Sequence, residues 1–228
     1  MDGSREAPWL PPRPVRVACE YAEAILVAVL LAVFVRAFVV EAFEIPSGSM
    51  ETTLLVGDHV VVDKLAYAPH AGPWRVLFPY RDPTPGAVVI FRSKEDPSID
   101  LVKRVVAVGG ETFRLDRRKA FRNGFEVAEP WARWEGPLPP PGRDAFGPLT
   151  VPPGSFLALG DNRDHSRDSR TFGPVPETAV KGRPLFVYWS RRPDDGSGAP
   201  ARGLRRFLDG LVHFGERTRW GRTFRAVR

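Results

Sequence analysis

Only one cysteine, Cys19, stands in the 228 residues, which excludes an intrachain disulfide and any zinc site built on cysteine. Cys19 precedes the apolar run of the chain, whereas the cleavage cysteine of a lipoprotein follows one. Histidine is also scarce. His59, His70, His165 and His213 show no pairing at metal-ligand spacing, so neither a metal nor a cofactor is expected. Between residues 45 and 195 no stretch sustains a helical period, and there is no internal repeat. The body lacks a basic face as well. Eleven Arg and four acids between Arg183 and Arg228 give +7 of a total of +6, leaving the rest of the chain near −1. A nucleic-acid-binding domain would carry its own basic surface, and nucleic acid is therefore not an expected partner.

What is present fits one medium domain with appendages. Hydrophobic residues make up 43%, enough for a core, and 24 prolines with 21 glycines favour loops and short strands. The apolar run "AILVAVLLAVFVRAFVV", Ala24 to Val40, carries a single charge, Arg36, near one end, where it can snorkel to an interface. Its length suits a bilayer core, which takes roughly 17–25 residues. The following "VVEAFEIPS" offers no convincing small-x-small cleavage site, which argues against a removed signal. Twelve unbroken apolar residues leave no polar face for a soluble core helix. A transmembrane helix is expected over 20–41. Arg5, Arg13 and Arg16 precede it and Glu41 and Glu44 follow it, so residues 1–19 form a short cytoplasmic N-terminus. The remainder then lies on the outer, periplasmic face of a single-pass inner-membrane protein.

After the span come short apolar runs separated by turn residues. Strands are expected at 59–63, 87–91, 101–108, 154–159 and 184–189, and "RNGFEV" (122–127) carries an Asn-Gly hairpin signal. The fold class is mostly β: an all-β domain over 42–200, with a smaller second lobe at 110–155. Residues 201–228 form a basic tail in which Leu204, Phe207, Leu208, Leu211 and Val212 recur at helical spacing between Arg202, Arg205 and Arg206. Such a helix suits an anionic lipid surface or packing on the body, and the sequence leaves both open.

Two segments carry the chemistry. "PSGSM" puts Ser49 in a loop nine residues after Val40, and most serines in Gly/Pro loops are merely turn residues. Lys103 lies inside the apolar strand "DLVKRVVAV", sharing a face with Leu101 and Val105, while Val102, Arg104 and Val106 take the other. A lysine in a strand commonly deters edge pairing. Buried beside a serine it has another use: desolvation disfavours the ammonium, and the neutral amine can take a proton from a hydroxyl.

"PSGSMETTLLVGD", "LVKRVVAVGG" and "GDNRDHSRDSRTFGPVP", in that order and spacing, resemble bacterial signal peptidase I, and "KGRPLFVYWS" resembles the strand closing its catalytic domain. The likeness covers about residues 20 to 191. It implies a signal-peptidase-like all-β catalytic domain behind a membrane anchor, a Ser/Lys endopeptidase that removes signal peptides from exported preproteins after small-x-small sites. Those signal peptides, the lipid bilayer and a nearby secretion machinery would be its partners. By this resemblance Ser49 is the nucleophile and Lys103 the general base. Ser47 joins the Ser49 N–H in the oxyanion hole, and Ser166 orients the lysine amine. Asp168 and Arg170 form a supporting charged pair, Gly160 and Asn162 have structural roles, and Met50 lines the wall near the scissile bond. Gly86-Ala87 and Gly110-Glu111 depart from the family's Gly-Asp, and His165 from its usual Asn. His165 raises a rival triad with Asp164 or Asp168. Three other readings compete: a narrower processing peptidase for a pilin or conjugation protein, a self-cleaving repressor-type protein, and an anchored β scaffold without activity. An apolar span where a repressor would carry its DNA-binding module speaks against the second. The nine residues from Val40 to Ser49 reach about 30 Å at most, so Ser49 is tethered near the bilayer, where signal peptides present their cleavage sites.

Overall fold

The computed structural model describes residues 13–67, 81–136, 144–192 and 214–227. It divides into two compact units, Met1–Val39 and Val40–Arg228. The first is the helix α1, Arg13–Phe38, with basic Arg36 in its last turn. At 26 residues and ~1.5 Å per residue it is about 39 Å long. It is long and apolar enough to cross a membrane, and nearly all of its apolar side chains are exposed, Val35 being half-buried. The helix stops at Phe38, and Val40 already pairs with Asp63 as the first residue of a strand. The apolar run therefore divides between helix and sheet, because its final β-branched valine finds a ladder partner. Of the expected N-terminal segment, residues 1–12 lie outside the described residues.

The second unit is built on antiparallel sheets. The larger contains β1 (Val40–Glu44), β2 (Asp58–Asp63), β3 (Val88–Arg92), β4 (Asp100–Val108), β9 (Ser155–Leu159), β10 (Val175–Pro176), β11 (Val180–Ser190) and β12 (Arg225–Ala226). Its order is β1-β2-β11-β3-β4-β9-β10, with β12 also on β11. The smaller sheet contains β5 (Thr112–Asp116), β6 (Lys119–Arg122), β7 (Phe125–Val127) and β8 (Phe146–Thr150), in the order β7-β6-β5-β8. The mostly-β expectation is met, and each expected strand is present within a residue or a few of its expected ends.

β11 serves both halves of the larger sheet, pairing with β2 along one edge and, along the other, first with β3 and further on with β12. Register shifts at three places let it bend between them. At Gly182 a Cβ would stand 2.5 Å from Asp63 O, so only glycine permits that approach of strands. Asn123 and Gly124 both have positive φ, 53° and 85°, which is the backbone a two-residue hairpin between β6 and β7 requires.

β3 is buried on both faces and so reads as an unbroken apolar run. Val88 and Ile90 join a core with Val60, Val62, Val102 and Val187, while Val89 and Phe91 join another with Val105, Phe156 and Ala158. A third core, including Val106, Phe113 and Leu157, lies under the smaller sheet. The amphipathic stretch Leu204 to Val212 lies outside the described residues. Beyond it the chain returns to the sheet: β12 pairs with Phe186 and Val187, and Val227 enters the first core.

Candidate active site

Ser49 sits in a single 3-10 turn, Gly48–Met50, closed by Glu51 N–H donating to Gly48 O at 3.1 Å. The turn is held from both sides. Met50, 1% exposed, is sunk in the core with Ile45 and Leu54, and Leu54 N–H donates to Met50 O at 2.8 Å. On the other side Asn162 N–H donates to Ser49 O at 3.1 Å and Asn162 Nδ2 to Gly48 O at 3.3 Å. Met50 thus anchors the turn from inside the core. The Ser47 hydroxyl lies 3.4 Å from Ser49 Oγ.

Lys103 is central in β4, opposite Val89, and is only 3% exposed. Its Nζ donates to Ser49 Oγ at 2.6 Å. Burial lowers its pKa from 10.5 to about 8, against the charges of Asp168 and Asp161, which favour the ammonium; Arg170 adds to the lowering.

The remaining expected residues lie in the stretch after β9. Gly160 is wedged between the other two segments: a Cβ there would meet Ser166 Oγ at 2.2 Å and Ser49 O at 2.5 Å. Ser166 is buried and bonds to Asp168. Asp168 caps the short helix α2, Ser169–Phe172, accepting from Arg170 N–H, and also accepts from Gly160 N–H at 3.0 Å. Arg170 forks onto both its oxygens, at 2.9 and 2.8 Å, and reaches Arg163 O. Burial alone would raise the Asp168 pKa. The Arg170 bonds and charge, the Gly160 N–H and the Ser166 hydroxyl outweigh it and hold the carboxyl below its ordinary range.

His165 takes no part in this arrangement. Its side chain is 63% exposed and pairs with Glu135 at 2.9 Å. Asp164 accepts from Glu135 N–H, and Asp168 is committed to Arg170. Among the described residues no three His, Cys, Asp or Glu come together as a metal site.

Sequence reasoning missed two supports. Arg104, beside Lys103 but on the other face, is buried and forks onto Asp161 at 2.9 and 2.7 Å. It also donates to Gly86 O and lies over the Trp131 ring, 4.4 Å from its centroid. Arg163 donates to Gly160 O and to Glu129 at 2.6 Å, beside Trp134. Residues 129–135 therefore form a strap across the back of the motif, joined by Arg133 N–H to Asp161 O and Arg163 N–H to Arg133 O. The adjacent arginine in "LVKR" was the one available signal.

A family described as signal peptidase, peptidase S26, matches residues 18–189. The chain belongs to this family. It is accordingly a peptidase, and α1 fits the membrane anchor of signal peptidases. A signal peptidase I of Leptolyngbya laminosa is 35% identical over 71% of this chain and 75% of that one. The signal peptidase I of Pseudomonas aeruginosa is 32% identical over 77% and 73%. That of Mycobacterium tuberculosis is 31% identical over 78% and 75%. A crystal structure of an Enterococcus faecalis signal peptidase I is 26% identical, with a TM-score of 0.39 over 45% of this chain and 97% of the other.

Proposed function

We propose that this protein removes N-terminal signal peptides from exported preproteins, with Ser49 as nucleophile and Lys103 as general base. The observation that carries the reading is the 2.6 Å bond from a buried lysine amine to a serine hydroxyl. A lysine with a pKa near 8 is partly neutral at mildly alkaline pH, so it can accept a proton, which an exposed lysine seldom can. Lys103 takes the Ser49 proton as Oγ attacks the scissile carbonyl. The resulting ammonium then gives the proton to the departing amine of the mature chain. Water, deprotonated by the same amine, hydrolyses the acyl-enzyme.

The oxyanion of each tetrahedral intermediate needs donors. Ser49 N–H belongs to the turn residues that have no acceptor inside the turn, and the Ser47 hydroxyl stands beside Oγ. Asp168, Arg170 and Ser166 keep the lysine's surroundings fixed. We place α1 across the bilayer with the basic N-terminal side in the cytoplasm and the catalytic unit outside, by the distribution of flanking charge. Specificity for small residues at the first and third positions before the cut follows from peptide binding as an added strand, which faces alternate side chains to the enzyme.

The test is to incubate detergent-solubilised protein with a preprotein and sequence the new N-terminus. A cut after a small-x-small site, lost in Ser49→Ala, supports the reading. Equal cleavage with Phe just before the cut removes the specificity, and activity in Ser49→Ala removes the nucleophile.

A further inference from the structure

Behind the Ser49 turn is a second buried charge centre that the reaction above leaves unused. Asp58, fully buried, opens β2. Its carboxylate accepts from Leu55 N–H at 2.9 Å, from Ser190 Oγ at 2.5 Å and from Arg222 Nη2 at 2.6 Å. Arg222 Nε lies 3.1 and 3.2 Å from its two oxygens, and Arg219 Nη2 lies 3.5 Å away. Both arginines belong to the segment that ends in β12. Neither guanidinium stops at the carboxylate. Arg222 Nη2 also donates to Thr53 O at 3.0 Å, and Arg219 Nη2 to Val56 O at 2.6 Å and Arg191 O at 2.8 Å.

Residues 51–57 connect the Ser49 turn to β2, and two of their carbonyls, Thr53 O and Val56 O, are thus held by these two side chains. Thr53 is held from both sides. Its carbonyl accepts from Arg222, while its hydroxyl donates to Asp161 at 2.6 Å. Asp161 directly precedes Asn162, the donor to Ser49 O. The far end of the connection is pinned as well: Arg191 N–H donates to Gly57 O at 2.8 Å and Gly57 N–H to Ile45 O at 3.0 Å, in an approach so close that a Cβ on Gly57 would stand 2.2 Å from Arg191 O. A clamp serving only to neutralise Asp58 has no use for the bonds to the carbonyls of the connection, Thr53 O and Val56 O.

We propose that Arg222 is a positioning residue for the nucleophile: through Thr53 O it fixes the Ser49 turn at the height where Oγ meets the Lys103 amine. This rests on the Ser49/Lys103 reading of the site. Arg222 touches no reacting atom. Its effect is therefore on the chemical step and not on substrate binding, and a misplacement near 1 Å costs roughly 100-fold in rate.

The experiment uses the full chain in detergent with a preprotein substrate, comparing Arg222→Ala, Arg222→Lys and, as a control on the catalytic reading itself, Ser49→Ala. Arg222→Ala is expected to lose roughly 10- to 100-fold in kcat with KM within about twofold. Added guanidinium ion, at concentrations well below denaturing, is expected to restore part of that kcat. A cleft of about 420 Å³ is bordered by Thr52, Thr53, Arg225 and Ala226, and Thr53 carries the carbonyl that the added ion has to reach. Arg222→Lys keeps a charge for Asp58, and with it the fold, but offers a compact ammonium in place of a fork, so its kcat falls as well. Wild-type kcat in either folded Arg222 variant overturns the proposal. So does a kcat loss that guanidinium leaves untouched and that merely follows the loss of melting temperature. Activity in Ser49→Ala would instead overturn the catalytic reading, independently of the arginine variants.

Discussion

Lys103 Nζ and Ser49 Oγ are 2.6 Å apart, with 3% of the lysine and 8% of the serine exposed. The amine's closest partner is therefore a hydroxyl, while the carboxylates that favour its charge, Asp168 and Asp161, are each already committed to an arginine. An amine so placed gains little from carrying a proton. That imbalance sets the pH behaviour of the site.

Cleavage rate should rise with pH along a limb centred near 8, the pH at which Lys103 loses its proton. Lys103→Met and Lys103→Arg should both fold and both lose turnover, the second because guanidinium stays protonated. The kcat/KM profile of the wild type, with circular dichroism on the variants, checks this. Substantial turnover in either folded variant would remove Lys103 as the base.

The same lowered pKa has a cost in stability. The folded-state pKa of about 8 lies below the unfolded value of 10.5, so the unfolded chain binds more protons between those two pH values. Stability therefore rises through that window, and below pH 8 the burden is fully present. At ~1.36 kcal/mol per pKa unit it amounts to roughly 3 kcal/mol. Lys103→Met should raise stability to urea at pH 7, with the gain shrinking towards pH 10. An equal gain at both pH values would contradict the assignment.

Gly160→Ala should lose activity far out of proportion to its size. The added methyl must displace Ser166 or the Ser49 carbonyl, and overpacking of this kind costs about 1–3 kcal/mol. Urea melts and kcat on the same preparation separate the two effects: the expected result is a modest loss of stability with a kcat drop near 100-fold.

Arg104→Met should destabilise by about 3–5 kcal/mol, since it leaves the Asp161 carboxylate buried without its ion partner. Replacing both residues by apolar ones, Arg104→Met with Asp161→Leu, should cost less than the single change. Chemical denaturation of the two variants decides it.

Ser47→Ala should fold normally and lose roughly 10²–10³ in kcat, the usual cost of one oxyanion donor. Single-turnover kinetics on the folded variant is the measurement, and wild-type acylation would take Ser47 out of the mechanism.

Strands that bury a face were legible because their side chains alternate or run apolar, as in "HVVVD" of β2 and "VVIF" of β3. β1 begins at the last residue of the apolar run, Val40, and its "VEAFE" is too short and mixed to read as a strand before it pairs with β2. β12 is two residues long, too short for any period. In the site, Ser49 and Lys103 were legible through the family motifs, but their separation of 54 residues left the pairing itself beyond local pattern. Trp131, Trp134, Arg219 and Arg222 carried no signal at all. Tryptophans and arginines in proline-rich or basic stretches look like surface, and only the tertiary fold turns these tryptophans onto buried arginines and these arginines onto buried Asp58.

The bond from Arg222 to Thr53 O spans 169 residues of sequence. A ribosome delivers the Ser49 turn long before it delivers the arginine that braces it. Throughout that interval the nascent chain carries the proposed nucleophile without its full scaffold. On the proposed roles of Ser49 and Arg222, full activity comes only after translation has passed residue 222, and a shorter chain works at the reduced rate expected of Arg222→Ala.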